Sequence, residues 1–364
     1  MQVLQTLGKI IPPPAYIQLP SIGVDVSDTS LKYVDFKSDY QSGTKLFLHN
    51  WGDIEIPAGA LERGVVHDGS KLTQALREMK EKTGAINIRV SLPEERAYLF
   101  ETKVERGASE KEIRGLLEFK LEENVPLSPR DAFFDYDIIE DEGPGGSLRV
   151  SVTAYAKDTV MSYYDACRAA EVIPLSFEIE AQAIARATIP NGDTQTHMIV
   201  DFGKTRTGVG IVHQGVLMYT STIDVGGGEL SKAMREKLGD LPEAELTKIK
   251  NTQGLVQGKG DSDVHDVLVK TMGTIVEEIS TRITYWNTKD TAHEERQIQS
   301  IILCGGSVNM KGLPSYLSQT LGVEAQRANV WQNAFSIEEV VPPISRRYSF
   351  GYATAIGLAL SSFM

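Results

Sequence analysis

Residues 199–212 read Ile-Val-Asp-Phe-Gly-Lys-Thr-Arg-Thr-Gly-Val-Gly-Ile-Val, two short apolar runs joined by a polar turn. This pattern predicts a β-hairpin, with Asp201 at the end of its first strand and Gly203 in its turn. The turn is rich in backbone N–H and hydroxyl groups, which together can bind an anion. The hairpin is therefore a candidate phosphate-binding element.

An upstream stretch repeats the same order of features. Residues 22–36 read Ile-Gly-Val-Asp-Val-Ser-Asp-Thr-Ser-Leu-Lys-Tyr-Val-Asp-Phe, with Asp25 in an apolar strand, a hydroxyl-rich turn and a second apolar strand. Because internal repeats indicate repeated structural units, two such hairpins roughly 175 residues apart predict two similar halves that close on one ligand.

Composition limits the class of protein. The chain has 364 residues, enough for two or three domains, and its 41% hydrophobic content is typical of a globular protein. Its net charge of -12 argues against nucleic-acid binding, and no apolar run is long enough to span a membrane. Cys167 and Cys304 lack metal-ligand spacing, so we expect two small core residues in a reducing cytoplasm.

The other predicted elements alternate between strands and helices, which indicates an α/β core. Residues 93–174 interrupt this core with the order β, α, β, β, α, the size of a small α+β insertion. Glu180 stands where a strand leads into an alanine-rich helix, and glycine turns precede helices near Gly227 and after Gly305. We expect residues 1–20 to be a flexible arm, with a short partner-docking helix as the alternative.

Five elements in this order resemble the superfamily of actin, the heat-shock chaperones and the sugar kinases. They are the hairpin at Asp25, the helix at Glu180, the hairpin at Asp201, the helix with Glu245 and Lys248, and the turn Gly305-Gly306. The insertion resembles that of the cell-division protein FtsA. Residues 112–127, 134–136 and 180–187 are more similar still to the type IV pilus assembly family PilM.

The resemblance implies a two-lobed, actin-like α/β fold with two RNase H-like cores and an FtsA-type α+β insertion domain. It also implies a division of the chain into five parts. These are the arm at 1–20, a first core subdomain at 21–92, 175–196 and 345–364, the insertion at 93–174, a second core subdomain at 197–225 and 296–344, and a helical, nucleotide-contacting subdomain at 226–295.

The resemblance further implies ATP and Mg²⁺ in the cleft between the lobes. Asp25 and Asp201 would hold Mg²⁺ through water, and Glu180 would orient the attacking water as the catalytic residue. The implied nucleotide contacts are Asp25, Ser27, Asp28, Thr29, Ser30, Lys32, Gly203, Lys204, Thr205, Thr207, Gly227, Gly228, Glu245, Lys248, Gly305, Gly306, Ser307 and Lys311.

Three residues depart from the family pattern. Ser27 and Ser307 stand where the family usually has glycine, and Lys204 stands where it usually has a small residue. Serine is small enough for both positions, whereas Lys204 adds a charge that can pair with a phosphate. We therefore expect nucleotide binding with slow or no hydrolysis, in a protein that works as a scaffold.

The family also implies a partner, the short cytoplasmic tail of a PilN-like inner-membrane protein, bound between the first core subdomain and the insertion. Candidate walls for this groove are the helix at 109–121 and the strands near Tyr98 and Phe133. Other pilus platform or motor proteins and self-association are further expectations, and the protein would lie at the inner face of the membrane through its partners. Two alternatives stay open, an FtsA-like or filament-forming actin homologue and a small-molecule kinase.

Overall fold

A computed structural model describes residues 19–39, 45–141, 146–256, 262–289 and 296–364, so the predicted arm lies almost wholly outside the described residues. Within these ranges the strands are β1 Ile22–Val26, β2 Ser30–Asp39, β3 Lys45–Glu55, β4 Leu61–Glu62, β5 Val65–Val66, β6 Asn87–Leu92, β7 Ala97–Glu105, β8 Ala132–Asp141, β9 Ser147–Ala156, β10 Ile173–Ile179, β11 Thr196–Phe202, β12 Thr207–His213, β13 Val216–Ile223, β14 Ser300–Cys304 and β15 Glu324–Arg327. The helices are α1 Gly69–Thr83, α2 Glu110–Asn124, α3 Lys157–Ala169, α4 Glu180–Thr188, α5 Gly227–Leu238, α6 Glu243–Thr252, α7 Ser262–Lys289, α8 Leu313–Leu321, α9 Arg346–Ser349 and α10 Ala353–Leu360.

Two five-stranded sheets share one topology. The first lobe contains the sheet β10-β6-β1-β2-β3, and the second lobe contains β15-β14-β11-β12-β13. In each, the first strand pairs antiparallel with the next strand in sequence and parallel with the first strand of a later segment. All five residues of β1 are buried, as expected for a central strand covered on both faces. Both predicted hairpins therefore occupy equivalent places in the two lobes.

The insertion between β6 and β10 has the predicted order β7, α2, β8, β9, α3, with strand order β7-β9-β8 in its sheet. Ser109 and Glu112 form a capping box at the start of α2, in which each side chain engages the other residue's backbone N–H. Leu117 and Leu121 of α2 are buried against one face of this sheet. None of the helices in the described ranges has the length and apolar character needed to cross a membrane.

Helix α10 packs so closely on the first lobe that its backbone contacts both a strand and a helix. A Cβ at Gly357 would overlap the carbonyl oxygen of Ala183 in α4, and a Cβ at Gly23 in β1 would overlap the carbonyl oxygen of Ala355. All eight residues of α10 are buried. Glycine is therefore required at both positions by the close approach of backbone to backbone.

We predict that Gly357→Ala lowers the free energy of unfolding by about 1–3 kcal/mol, because the added methyl group must push α10 away from α4. Chemical unfolding measures this change. The matched control is Gly273→Ala in α7, where no atom lies near the added Cβ, and which should stabilise the protein by about 0.5–1 kcal/mol through helix propensity. Equal effects of the two substitutions would contradict the prediction.

Candidate functional site

A cavity of about 660 Å³ lies between the two lobes, where the turns of both hairpins face each other. The start of α4 and the turn after β14 complete its wall. Thirteen of the residues predicted from the sequence line it: Asp25, Ser27, Asp28, Thr29, Ser30, Lys32, Glu180, Asp201, Gly203, Lys204, Thr205, Gly305 and Gly306. The structure thus brings together most of the predicted site.

The turn of the first hairpin is closed by its own serines. The Ser27 N–H donates to the Ser30 carbonyl oxygen at 2.9 Å, and the Ser27 hydroxyl donates to the same oxygen at 2.9 Å. The Lys32 ammonium donates to the Ser30 hydroxyl at 2.8 Å. The Ser27 side chain therefore stabilises the turn by a hydrogen bond within it, at a position where the family usually has glycine.

Four predicted contacts hold the second turn in place and do not line the cavity. The Thr207 hydroxyl donates to the Val225 carbonyl oxygen at 2.7 Å, and the Ser307 hydroxyl donates to the Gly203 carbonyl oxygen at 3.0 Å. At the start of α5, the N–H groups of Gly227 and Gly228 donate to the carbonyl oxygens of Gly203 and Lys204 at 3.0 and 2.8 Å. The α5 terminus supports the turn through these donors.

Three other predicted contacts, Glu245, Lys248 and Lys311, are exposed and do not line the cavity, so their contact with the nucleotide stays a prediction. On α6 the buried cation is Lys250, which donates to the Gly227 carbonyl oxygen at 3.1 Å and to the Ser231 hydroxyl at 2.6 Å. Helix α6 therefore contacts α5 through Lys250, which the sequence prediction did not single out.

Both turns have backbone N–H groups that are not engaged. Within the part of the chain that the structure describes, no hydrogen bond is formed by the N–H groups of Asp28 and Thr29 in the first turn or of Lys204 and Thr205 in the second. Consecutive unpaired N–H groups in a turn make a concave anion-binding surface. Two such surfaces face one cavity, so the site can bind an extended anion with more than one charged group.

Buried and half-buried carboxylates lie beside these donors. Burial, and then the charge of Asp25, raises the pKa of Asp201 to about 6. Burial raises the pKa of Asp25 itself, against the opposing effect of Lys32, and burial followed by the charge of Asp25 raises the pKa of Glu180. The Ser91 hydroxyl donates to an Asp25 carboxylate oxygen at 3.1 Å. These like charges repel one another, and a bound cation would reverse that effect.

Glu94 is a fourth buried carboxylate that the sequence prediction missed. Burial, and then the charge of Asp201, raises its pKa to about 8, and its Oε2 atom is buried with no hydrogen-bond partner within the described residues. It follows β6 directly after Pro93, just as Glu180 follows β10. The sequence could have identified Glu94 as a site residue, because it is acidic and follows a predicted buried strand. The carboxyl ends of neighbouring parallel strands meet at one edge of a sheet, where ligands bind.

The acidic residues fit a hydrated magnesium ion better than a directly ligated metal. No group of three or more His, Cys, Asp or Glu side chains in the described ranges is placed to hold a metal ion by itself. Mg²⁺ usually keeps several waters and binds through one or two carboxylates together with phosphate oxygens. Asp25 and Asp201 meet that requirement, and the orphaned Oε2 atom of Glu94 is a further acceptor for a metal-bound water.

Arg206 joins the two lobes across the mouth of the cavity, and the sequence prediction did not single it out. Its guanidinium pairs with Asp28 at 3.0 Å and also with Glu95, and the three side chains are only 15 to 18% exposed. The Asp28 carboxylate also accepts from the backbone N–H groups of Arg63 and Gly64, each at 3.2 Å. Asp28 therefore holds the lobes together through its side chain, which leaves only its backbone N–H for an anion.

We predict that Arg206→Gln destabilises the protein, in buffer without nucleotide or divalent cation, by about 2–4 kcal/mol, since two partly buried carboxylates lose their counter-charge. Arg63→Gln is the control. It breaks another ion pair between the lobes, Arg63–Asp224, in which both side chains are 64% exposed, and should cost about 0.5 kcal/mol or less. Thermal unfolding of both variants decides, and a small effect of Arg206→Gln would show that the pair is dispensable.

A second cavity, of about 850 Å³, lies between the first lobe and the insertion. We call it the tail groove, because the sequence resemblance implies a partner's tail between these two parts of the chain. Its walls are β8 and β10, each an edge strand of its sheet, with β9, α3 and α4 behind them. Phe133 lines it, as the sequence suggested, but the helix at 109–121 and Tyr98 do not, because both belong to the opposite face of the insertion sheet.

Comparison with known proteins shows the relationships of this fold. The family model described as "Type IV pilus assembly protein PilM" matches residues 23–363. A solved PilM-PilN type IV pilus biogenesis complex is 19% identical over 95% of this chain and 99% of that chain, with a TM-score of 0.76. Ethanolamine utilization protein EutJ from Carboxydothermus hydrogenoformans is 16% identical over 99% of this chain and 97% of that chain, with a TM-score of 0.54. MreB5 of Spiroplasma citri bound to ADP is 12% identical over 86% of this chain and 92% of that chain, with a TM-score of 0.52. The expected two-lobed, actin-like fold is confirmed.

Proposed function

The chain belongs to the family of the type IV pilus assembly protein PilM, and on that basis we propose that it is a scaffold with two ligands, ATP–Mg²⁺ between the lobes and the tail of a PilN-like membrane protein in the tail groove. The family membership favours this role over a small-molecule kinase or a cell-division protein. Through the tail, the protein would be held at the inner face of the membrane. The observation that carries the nucleotide part is the pair of turns with unpaired N–H groups facing one cavity.

Charge supports binding of the nucleotide together with its cation. Eight acidic and three basic side chains line the cavity between the lobes. A polyphosphate alone would be repelled by this excess of negative charge, whereas Mg²⁺ between the phosphates and the carboxylates removes the repulsion. When bound, the metal supplies charge neutralisation, while the two turns and Lys32 and Lys204 orient the phosphates.

Lys204 supports slow turnover. It lies in the turn of the second hairpin and lines the cavity between the lobes. A direct ion pair with a phosphate stabilises the bound nucleotide as well as the transition state, so it does not favour the reaction. We therefore propose a protein that retains its nucleotide.

We predict that a fluorescent ATP analogue binds in the presence of Mg²⁺ and binds at least about tenfold more weakly when EDTA replaces Mg²⁺. Lys204→Ala should weaken binding about fivefold, the loss expected for one phosphate ion pair of roughly 1 kcal/mol. Lys232→Ala, which changes an exposed lysine on α5 that does not line the cavity, should leave binding unchanged. Fluorescence titration measures all three.

Turnover of the same protein gives an independent check. We expect hydrolysis of ATP below about one per minute without partners. Several turnovers per second would exclude a scaffold that retains its nucleotide. In the binding titration, an affinity for the ATP analogue that EDTA leaves unchanged would exclude the role proposed for the carboxylates.

Two free strand edges support tail binding in the groove. The outer edges of β8 and β10 pair with no other strand in the described part of the chain. Unpaired N–H and C=O groups on such an edge readily take an added strand from another chain. Aromatic side chains line the space between the two edges, among them Phe133, Tyr155 and Phe177. An extended peptide with apolar side chains matches both features.

We predict that Phe133→Ala weakens binding of a synthetic peptide, the first fifteen or so residues of the PilN-like partner, by at least about tenfold because it removes an aromatic side chain from the wall that the peptide would cover. Phe119→Ala is the matched control, since Phe119 is 59% exposed on α2 and does not line the groove. Fluorescence anisotropy measures both affinities, after unfolding curves have shown both variants to be folded. Equal affinity of the two variants would exclude the groove as the tail site.

A further inference from the structure

The tail groove is largely apolar, yet it contains an acidic patch. Asp135 and Asp137 on β8 and Glu178 on β10 line it, and Arg186 of α4 is the one basic residue among its described lining residues. The two aspartates lie two positions apart on one strand, so they share a face of the sheet and lie about 7 Å apart. The patch is therefore part of the surface that a bound peptide would cover.

Arg186 offsets the charge of Asp137 only in part, because its guanidinium makes its hydrogen bonds to other groups and forms no ion pair with either aspartate in the described part of the chain. Its Nη2 atom donates to Glu178 at 2.5 Å, and its Nη1 atom donates to the Gly357 carbonyl oxygen at 3.0 Å. Glu178 also accepts from the Ser176 hydroxyl at 3.0 Å. Glu178 and Arg186 thus neutralise each other, and the excess charge of the groove belongs to Asp135 and Asp137.

The aspartates themselves have little stabilisation. An Asp135 carboxylate oxygen accepts from the backbone N–H of Tyr136 at 2.8 Å, and no ion pair to Asp135 or Asp137 is formed by the residues that the structure describes. Desolvation, and then the charge of Asp135, raises the pKa of Asp137. The ammonium of Lys157 lies over the ring of Phe133, 5.7 Å from the centroid of the ring. Phe133 itself is four residues, or about 13 Å, along the strand from Asp137.

Filling the groove with a purely apolar peptide would carry an electrostatic cost. Such a peptide would remove water from two carboxylates and offer nothing in return, and a buried charge without a partner is strongly unfavourable. A peptide that carries a cation at this position would instead convert the cost into a charge-assisted hydrogen bond. The same two residues would therefore reject neutral or acidic tails and favour basic ones.

We propose that Asp135 and Asp137 determine the specificity of the tail groove by binding a lysine or arginine side chain that lies among the apolar residues of the partner's tail. This inference rests on the proposed function of the groove and names the chemistry of the tail. It assigns the apolar side chains of the tail to the aromatic wall and the cation to the space between the two aspartates.

The test uses the partner's tail peptide and versions in which each lysine is replaced by norleucine or each arginine by citrulline, with affinities from fluorescence anisotropy. For the wild-type protein, one neutral replacement should weaken binding about tenfold. Asp135→Asn/Asp137→Asn should weaken binding of the native peptide by a similar factor. In this double variant the neutral replacement should have no further effect, which is the signature of a direct interaction.

Two controls separate the outcomes. Asp165→Asn changes the same charge on an exposed residue of α3 that does not line the groove, and it should leave affinity unchanged. An N-acetylated native peptide should bind as well as the free one. If acetylation alone removes the dependence on the aspartates, the cation is the terminal amine and the side-chain assignment is wrong. If all peptides bind equally, the inference fails while tail binding stands, and if none binds to wild-type protein, the proposed function of the groove fails.

Discussion

The backbone contact of α10 with β1 and α4 is the constraint on which the placement of both sites depends. Gly23 and Gly357 remove the side chains that would otherwise separate these three elements, so α4 can begin only where β10 and β1 place it. The Gly357 carbonyl oxygen also accepts from Arg186, which fixes the far end of the same helix. A close-packed joint of this kind has few alternative arrangements, because interiors pack densely and tolerate little added volume.

Helix α4 then forms the common wall of the two cavities. Glu180 at its start lines the cavity between the lobes, and Gln182, two residues later, lines the tail groove. The Gln182 side chain accepts from the backbone N–H of Leu217, so the same turn of helix also contacts the second lobe. Leu92 and Glu94 repeat the arrangement on the neighbouring strand, one in each cavity. A shift of this wall would therefore change the shape of both cavities at once.

The sequence predicted the parts of the molecule that depend on local pattern. Both hairpins, the strand before Glu180 and the start of the helix at Ser109 were readable because alternation, turn residues and helix-start residues act over a few positions. The contact of α6 with α5 was not readable, because only the packing of the two helices shows that Lys250 is buried against α5 beside Glu243, while Glu245 and Lys248 stay predicted nucleotide contacts. The division of the chain into five parts stays a prediction.

Contacts between distant segments were the other limit. The sequence places Arg206 in the turn of the second hairpin, but it does not reveal the ion pairs of Arg206 with Asp28 and Glu95. Both partners lie more than one hundred residues away in sequence. Helix α2 was taken as groove material because it is amphipathic, whereas its apolar face is used within the insertion. Amphipathicity shows that a face is covered, and only the three-dimensional structure shows by what.

One electrostatic rule links the two proposed ligands. In the cavity between the lobes, Asp25 and Glu94 are buried and Asp201 and Glu180 are half-buried, and desolvation raises the pKa of each. In the tail groove, Asp135 and Asp137 are exposed in the empty protein, and the pKa of Asp137 is raised as well. Neighbouring carboxylates of this kind are stabilised when a ligand that covers them brings positive charge. The cavity thereby favours a nucleotide that carries its cation, and the groove favours a tail that carries a basic side chain, so in both cases the protein's own charge selects the form of the ligand that binds.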